Sequence, residues 1–179
     1  KALNLRGFGK VRLHAFDNWP EWKLDFVRDM VTDKELRDSI DIISAHVFYS
    51  NSRATPEVRA AAKAMGKPIW NTEDHVYKRG FDCAISIVQC FNHNYVLNGA
   101  TKVVNWYDVA ALYPIQPYPE EPAAILAYEP WSGHYQIREA LWGYAHYGQF
   151  CEAGWSYLEG GCGELDQGVQ GFGAVGGDD

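Results

Sequence analysis

The sequence predicts an α/β fold in which parallel strands are covered by helices, arranged as part of a (β/α)8 TIM barrel. Three observations point there. Short β-like runs alternate with helical stretches along the first two thirds of the chain, a pattern that builds parallel sheets. The runs begin near residues 10, 40, 67 and 101, a spacing of roughly 30 residues that matches one βα unit. Polar side chains able to do chemistry (Asp17, His46, Glu73, Asp74, Asn105 and Asp108) gather where those runs end, the face on which barrels build active sites. Four βα units also suit a doubly wound sheet, but no Gly-x-Gly-x-x-Gly or Gly-x-x-x-x-Gly-Lys follows any run, so a nucleotide-binding sheet lacks its main support. At 179 residues the chain is shorter than the ~200–250 a complete barrel needs.

Each element has a local reason. Lys10 to Phe16 alternates polar and apolar residues and stops at Asp17-Asn18-Trp19-Pro20. Trp22, Phe26, Val27 and Met30 then fall on one face of a helix from about 22 to 30. Ile40 to Phe48 is apolar enough for a strand buried on both sides. Thr55-Pro56-Glu57 is a helix start with proline at its first position, continued by Val58 to Met65 and ended by Gly66. Lys67 to Thr72 forms the third strand, closing on Glu73-Asp74; Ala84 to Leu97 is helical, Asn98-Gly99 stops it, and Thr101 to Trp106 is the fourth strand. The proline-rich stretch from Tyr113 to Pro122 is a long loop, and a last helix spans about Ile137 to Phe150. After Gly160 the chain is Gly-rich and acidic with no apolar period, which predicts a frayed tail.

Composition narrows the function. Hydrophobic residues make up 47% and charged residues 22%, enough for a packed core. A net charge of -7 argues against electrostatic binding of nucleic acid or an anionic membrane. No apolar run approaches the ~18 residues of a membrane span. Aromatic residues are 15% of the chain, with 7 Trp, and rings are what the apolar face of a pyranose stacks upon. Cys83, Cys90, Cys151 and Cys162 show neither Cys-x-x-Cys nor zinc-ligand spacing, and two disulfides or four buried thiols fit equally. No Asn-x-Ser/Thr sequon occurs, no signal-peptide pattern opens the chain, and Lys1 reads as a processed or excised boundary.

Glu73 is the sharpest catalytic candidate. A retaining glycosidase needs one carboxylate as nucleophile and a second carboxyl as acid/base about 5 Å away, and a glutamate at a barrel strand end can serve as the first. The plainer reading, a Glu-Asp pair that caps the next helix or sits in solvent, leads on spacing alone. His46 could bind a sugar hydroxyl or orient a carboxylate, against the commoner fate of a structural histidine. Trp106 could stack on a sugar and Tyr118 could line the same mouth; core packing and loop anchoring are their alternatives. A divalent site from His46, Glu73, Asp74 and His75 has little support, because no His-x-His pair opens an early strand. A Gly-x-Ser-x-Gly nucleophile elbow is also missing.

One stretch is far more specific. Glu129-Pro130-Trp131-Ser132-Gly133-His134-Tyr135 resembles the galactocerebrosidases (galactosylceramidases), glycoside hydrolase family 59, in which the same words follow the last barrel strand. Further segments resemble that family in the same order. Asp17-Asn18 is similar to its Ser-Asp-Asn, Ala45-His46 to its Gly-Ala-His, and Trp70-Asn71-Thr72-Glu73-Asp74 to its Trp-Ser-Ser-Glu-Asp. Asn92-His93-Asn94-Tyr95 is similar to its Asn-Gln-Asn-Tyr, and Ala145-His146 to Gln149-Phe150 and Gly154 to Leu158 match as well. The likeness runs from about Leu3 to about Gly163.

The resemblance implies that residues 1–158 are the second half of a catalytic (β/α)8 barrel, strands five to eight, and that residues 159–179 begin a missing β-sandwich. It makes Glu73 the nucleophile at the end of strand seven, and places Trp106, Tyr118 and His46 in or beside the galactose pocket. The implied reaction is retaining hydrolysis of a β-galactosyl bond in galactosylceramide-type glycolipids, with no cofactor and no metal. The implied partners are the galactosyl lipid substrate and, within the same enzyme, the missing barrel half and β-sandwich. The family's acid/base glutamate, in Asn-Glu on strand four, precedes Lys1, and the cysteine that in the family bonds to the one matching Cys83 lies in the missing part. The compartment implied is lysosomal in an animal and secreted or periplasmic in a bacterium. A non-catalytic carbohydrate- or glycolipid-binding fragment is the alternative.

Overall fold

The structure, a computed structural model, describes residues 2–19, 24–51, 54–106, 108–111, 123–127, 129–158, 163–165, 169–171 and 174–175. Its centre is a four-stranded, fully parallel sheet of β1 (His14–Ala15), β2 (Ile42–His46), β3 (Ile69–Asp74) and β4 (Ala100–Asn105), in sheet order 1-2-3-4. That order follows the chain, as repeated βα units require. Helices α1 (Ala2–Leu5), α2 (Phe26–Thr32), α3 (Lys34–Ser39), α4 (Phe48–Asn51), α5 (Pro56–Ala64) and α6 (Gly80–Asn92) fall before and between the strands.

The expected boundaries largely hold where the pattern is strong. Thr55 caps α5, its Oγ1 accepting from the Val58 amide at 3.3 Å, with Pro56 in the first turn; Gly66 follows at φ +65. Elsewhere the structure departs. The first strand shrinks from Lys10–Phe16 to two residues: the run is largely exposed, and only His14 and Ala15 pair in register with β2, while the Leu13 carbonyl and the Phe16 amide bond to the backbone of the β2 segment on either side of them. Residues 20–23 lie outside the described set, and the helix there is described from Phe26, with α3 following at once under an Asp33 cap. The helix before β4 does not run regularly to Leu97: α6 gives way to a π-helical turn over His93–Leu97. Between β4 and the last helix, α7 (Glu139–Gly148), stands a small sheet of β5 (Val109–Ala111), β6 (Ile125–Ala127) and β7 (Tyr135–Ile137) that the periodicity did not announce. The tail is not uniformly frayed either: β8 (Ser156–Tyr157) pairs antiparallel with β11 (Ala174–Val175), and β9 (Gly163–Leu165) with β10 (Val169–Gly171). Such ladders are backbone hydrogen bonds and need no apolar period.

Two apolar clusters hold the layers together. Under the sheet, Val27 and Met30 of α2 and Val58 and Ala62 of α5 meet Ile43 and Ile69. Beyond it, Cys83, Ile87 and Cys90 of α6 pack with Ala140 of α7 and with Ala124. β2 is buried on both faces up to His46. By contrast Leu5, Phe8, Val11 and Leu13, around the β1 side of the sheet, are exposed. The outer edges of β1 and β4 carry no strand among the described residues.

Candidate active site

The C-terminal ends of the four strands bring their polar residues to one rim. At β2 and β3 the rim is stitched by the backbone: the His46 amide donates to the Asn18 carbonyl at 3.1 Å, and the Val47 amide to the Glu73 carbonyl at 2.7 Å. The Trp106 amide donates to the Asp74 carbonyl at 2.6 Å, tying β4 to the same point. Val47 has φ +58, a left-handed conformation that costs a β-branched residue about 1–3 kcal/mol, and it directly follows His46. Strain of this kind persists only where surrounding contacts enforce it, here the Glu73 carbonyl and near-complete burial of Val47.

His46 and Glu73 meet. His46 Nε2 lies 3.4 Å from Glu73 Oε2, while Nδ1 lies 3.2 Å from Thr72 Oγ1 and 3.6 Å from Asp17 Oδ1. The imidazole is 12% exposed and the Glu73 side chain 27%, so the carboxylate reaches solvent and the histidine braces it from behind. With a hydrogen on Nε2 the ring donates towards Glu73 and fixes the direction of its carboxylate, while Nδ1 faces the Thr72 hydroxyl, which itself donates to the Ala45 carbonyl at 3.4 Å.

Asp74 points the other way. Its side chain is fully buried, with Oδ2 accepting from the Tyr49 amide (2.9 Å), Asn71 Nδ2 (2.6 Å) and Asn94 Nδ2 (2.8 Å), and Oδ1 from the His75 amide (3.0 Å). Four donors satisfy the buried carboxylate without a cation. Asp74 therefore does not join His46 and Glu73, and no group of three or more His, Cys, Asp or Glu able to hold a metal occurs among the described residues. The same carboxylate, together with burial, pushes the Cys90 thiol well above its ordinary range; burial comes first of the two.

An aromatic wall borders Glu73. His75 packs against Tyr77 (ring centroids 4.4 Å apart), Trp19 (5.6 Å) and Trp106 (6.3 Å, edge-on). Burial holds His75 below its usual histidine range and outweighs the opposing pull of the Asp74 and Glu73 carboxylates. Of the sequence candidates, the structure brings Glu73 and His46 into contact and seats Trp106 on the adjacent strand end; Tyr118 lies outside the described residues. Sequence reasoning did not single out Asn71, Thr72 or Asn94. Asn94 stood in a word shared with a family, Asn92 to Tyr95, whereas Asn71 and Thr72 are the two positions at which Trp70 to Asp74 departs from the family's Trp-Ser-Ser-Glu-Asp.

The sequence matches the profile of Glycosyl hydrolase family 59 over residues 1–149. Galactocerebrosidase from Homo sapiens is 33% identical over 159 residues, covering 89% of this chain and 22% of that protein. Galactocerebrosidase from Salmo salar is 32% identical over 161 residues, 88% of this chain and 22% of its own length. A putative galactocerebrosidase from Caenorhabditis elegans is 26% identical over 118 residues, 66% and 17% respectively. The chain thus spans about a fifth of the length of these relatives. Among solved structures, SrfJ from Salmonella typhimurium superposes with a TM-score of 0.63 at 12% identity, over 87% of this chain and 36% of that one. A glycoside hydrolase family 30 subfamily 8 xylanase from Clostridium acetobutylicum gives 0.61 at 13% identity, over 86% and 35%. At such identities the likeness carries the fold alone, which is TIM-barrel-like. Matched across more than three quarters of its length by the family profile, the chain belongs to glycosyl hydrolase family 59.

Proposed function

We propose that this chain is the nucleophile-bearing half of the catalytic barrel of a retaining β-galactosidase acting on galactosylceramide-type glycolipids. In this reading β1 to β4 are strands five to eight, and the partners of their two open edges are the other barrel half. Residues 159–179 lead into a β-sandwich. The observation that carries the reading is the geometry at the end of β3, where Glu73 is partly exposed and braced by His46 Nε2 at 3.4 Å.

Glu73 Oε2 attacks the anomeric carbon while the bond from that carbon to the aglycone oxygen breaks, its electron pair leaving with the oxygen. The acid/base glutamate, contributed from upstream of Lys1, protonates that oxygen. It then takes a proton from the water that attacks the same carbon, which releases galactose and restores the Glu73 carboxylate. Two displacements at one carbon retain the β configuration. His46 holds the carboxylate in line, Trp106 and Tyr118 form walls of the sugar pocket, and no step calls for a metal or cofactor. Where the bearer is an animal, the lysosome is the compartment that fits this substrate.

Dinitrophenyl β-galactopyranoside tests the reading, since its leaving group departs without a general acid. The chain should release dinitrophenolate in a burst of about one equivalent, which Glu73→Gln should abolish. Galactose should follow slowly, its first anomer β by proton NMR, since the base for the second displacement lies outside the chain. α-Galactose as first product, or unchanged turnover by Glu73→Gln, contradicts it. Binding without any cleavage by the folded chain would favour the non-catalytic carbohydrate-binding reading.

A further inference from the structure

Strand β3 contains one residue more than either of its neighbours at the point where it reaches the rim. On the β2 side Ala45 is opposite Asn71 but His46 is opposite Glu73; on the β4 side Val103 is opposite Asn71 but Asn105 is opposite Asp74. Both registers shift within residues 71–74, so the strand bulges there. Bulges re-aim side chains, and the consequence here is specific. Along a regular strand, side chains two apart share a face. Ile69 and Asn71 face the buried side, so regular alternation would bury Glu73 with them and turn Thr72 and Asp74 to the other face. The bulge reverses this: Asp74 is buried beside Asn71, and Glu73 is on the side of His46.

A bulge leaves a backbone amide without its ladder partner. The Glu73 amide instead donates to Asn71 Oδ1 at 3.2 Å. Asn71, itself fully buried, spends its two Nδ2 hydrogens on Asp74 Oδ2 (2.6 Å) and Asn94 Oδ1 (2.7 Å). Asn94 returns one Nδ2 hydrogen to Asp74 Oδ2 (2.8 Å) and gives the other to the Cys90 carbonyl (2.8 Å). Asn94 sits in the π-helical turn His93–Leu97, and the irregular turn is what carries its amide into this closed ring of three side chains.

We propose that Asn71, Asp74 and Asn94 are positioning residues, a buried ring that holds the β3 bulge and thereby decides that Glu73 rather than Asp74 faces the reacting sugar. The inference rests on the reading of Glu73 as nucleophile for its catalytic consequence, but not for its geometry.

Asn71→Ala and Asn94→Ala in the full chain test it through two independent readouts. The first is amide hydrogen exchange at Glu73 by NMR, which reports the bond to Asn71 whatever Glu73 does chemically. The second is the rate of covalent inactivation by a dinitrophenyl 2-fluoro-β-galactoside, resolved into a maximal rate and a half-saturating concentration. In Asn71→Ala the Glu73 amide should exchange faster, and the maximal rate should fall on the order of 10- to 100-fold, as a misplacement of about 1 Å costs, with half-saturation unchanged. Asn94→Ala should move both readouts in the same direction by less, since Asn71 Oδ1 stays in place; it carries the test if Asn71→Ala fails to fold by circular dichroism. A folded variant with unaltered exchange at Glu73 and an unaltered maximal rate overturns the proposal. Loss of stability alone, with the rate of the folded fraction intact, reduces the ring to packing and overturns it equally. An unlabelled wild type whose Glu73 exchange still depends on Asn71 would remove the nucleophile and leave the positioning intact.

Discussion

Gly143, midway along α7, lies tight against Ala84 and Ile87 of α6, and Gly143→Ala probes that contact. A Cβ added there would stand 2.6 Å from the Ala84 carbonyl oxygen and 2.8 and 2.9 Å from Ile87 Cβ and Cγ2. The nearest of these is backbone of α6, which has no rotamer by which to yield. Restoring an ordinary contact of about 3.4 Å requires α7 to retreat by roughly 0.8 Å. A gap of 0.5–1 Å forfeits about a quarter to a half of each dispersion contact along the seam. Ala140 and Ile87, both fully buried, lose most. Overpacking of this kind costs about 1–3 kcal/mol, offset by the ~1 kcal/mol that alanine gains over glycine inside a helix. The net expectation is a loss of up to about 2 kcal/mol, or a fall in Tm of up to about 8 °C for a chain of this size. Gly148→Ala is the control: nothing lies within 4 Å of its Cβ position at the end of the same helix, so it should be neutral or slightly stabilising. Urea unfolding followed by circular dichroism measures both. Equal stabilisation by the two alanines would refute the close approach of α6 and α7.

Other expectations follow from single groups. Thr55→Ala removes the oxygen that accepts from the Val58 amide and should cost about 1 kcal/mol in urea unfolding; no loss would mean that the cap is idle. His75 and His93 are both held below the ordinary histidine range chiefly by burial, so the unfolded chain takes up their protons first on acidification. Their contribution to stability is complete above the unfolded pKa near 6.5 and is lost as pH falls through the lower folded values. Urea midpoints at pH 7.5 and 5.0 should therefore diverge, and His75→Phe should narrow the divergence; an identical pH dependence in wild type and variant contradicts the assignment.

The fold was legible where burial imposes a period. The apolar run to His46, the capped start at Thr55-Pro56 and the stop at Asn98-Gly99 each recur as β2, α5 and the turn before β4. The small β5–β6–β7 sheet was not legible, because its strands are three residues long and pair across a long excursion. In the site, Glu73 and His46 were nominated because polar residues ending apolar strands are conspicuous; that they meet depends on the β3 bulge, which sets His46 opposite Glu73. Asn71 and Asn94 were passed over for a physical reason. A bulge and a π turn each insert one residue into a regular repeat, and periodicity cannot show a residue whose role depends on breaking the period. Strict alternation along β3 would even have exchanged Glu73 and Asp74 between the rim and the core.

The most direct test of the catalytic claim is covalent trapping. The chain, shown to be folded by circular dichroism, is incubated with a 2-fluoro-β-galactoside bearing a dinitrophenyl leaving group, then read by intact-mass and peptide mass spectrometry. A single fluorogalactosyl adduct on the peptide that contains Glu73, localised to that side chain and absent from Glu73→Gln, is the expected result. An adduct on another carboxylate, or a folded chain that takes up no label, would contradict Glu73 as the nucleophile.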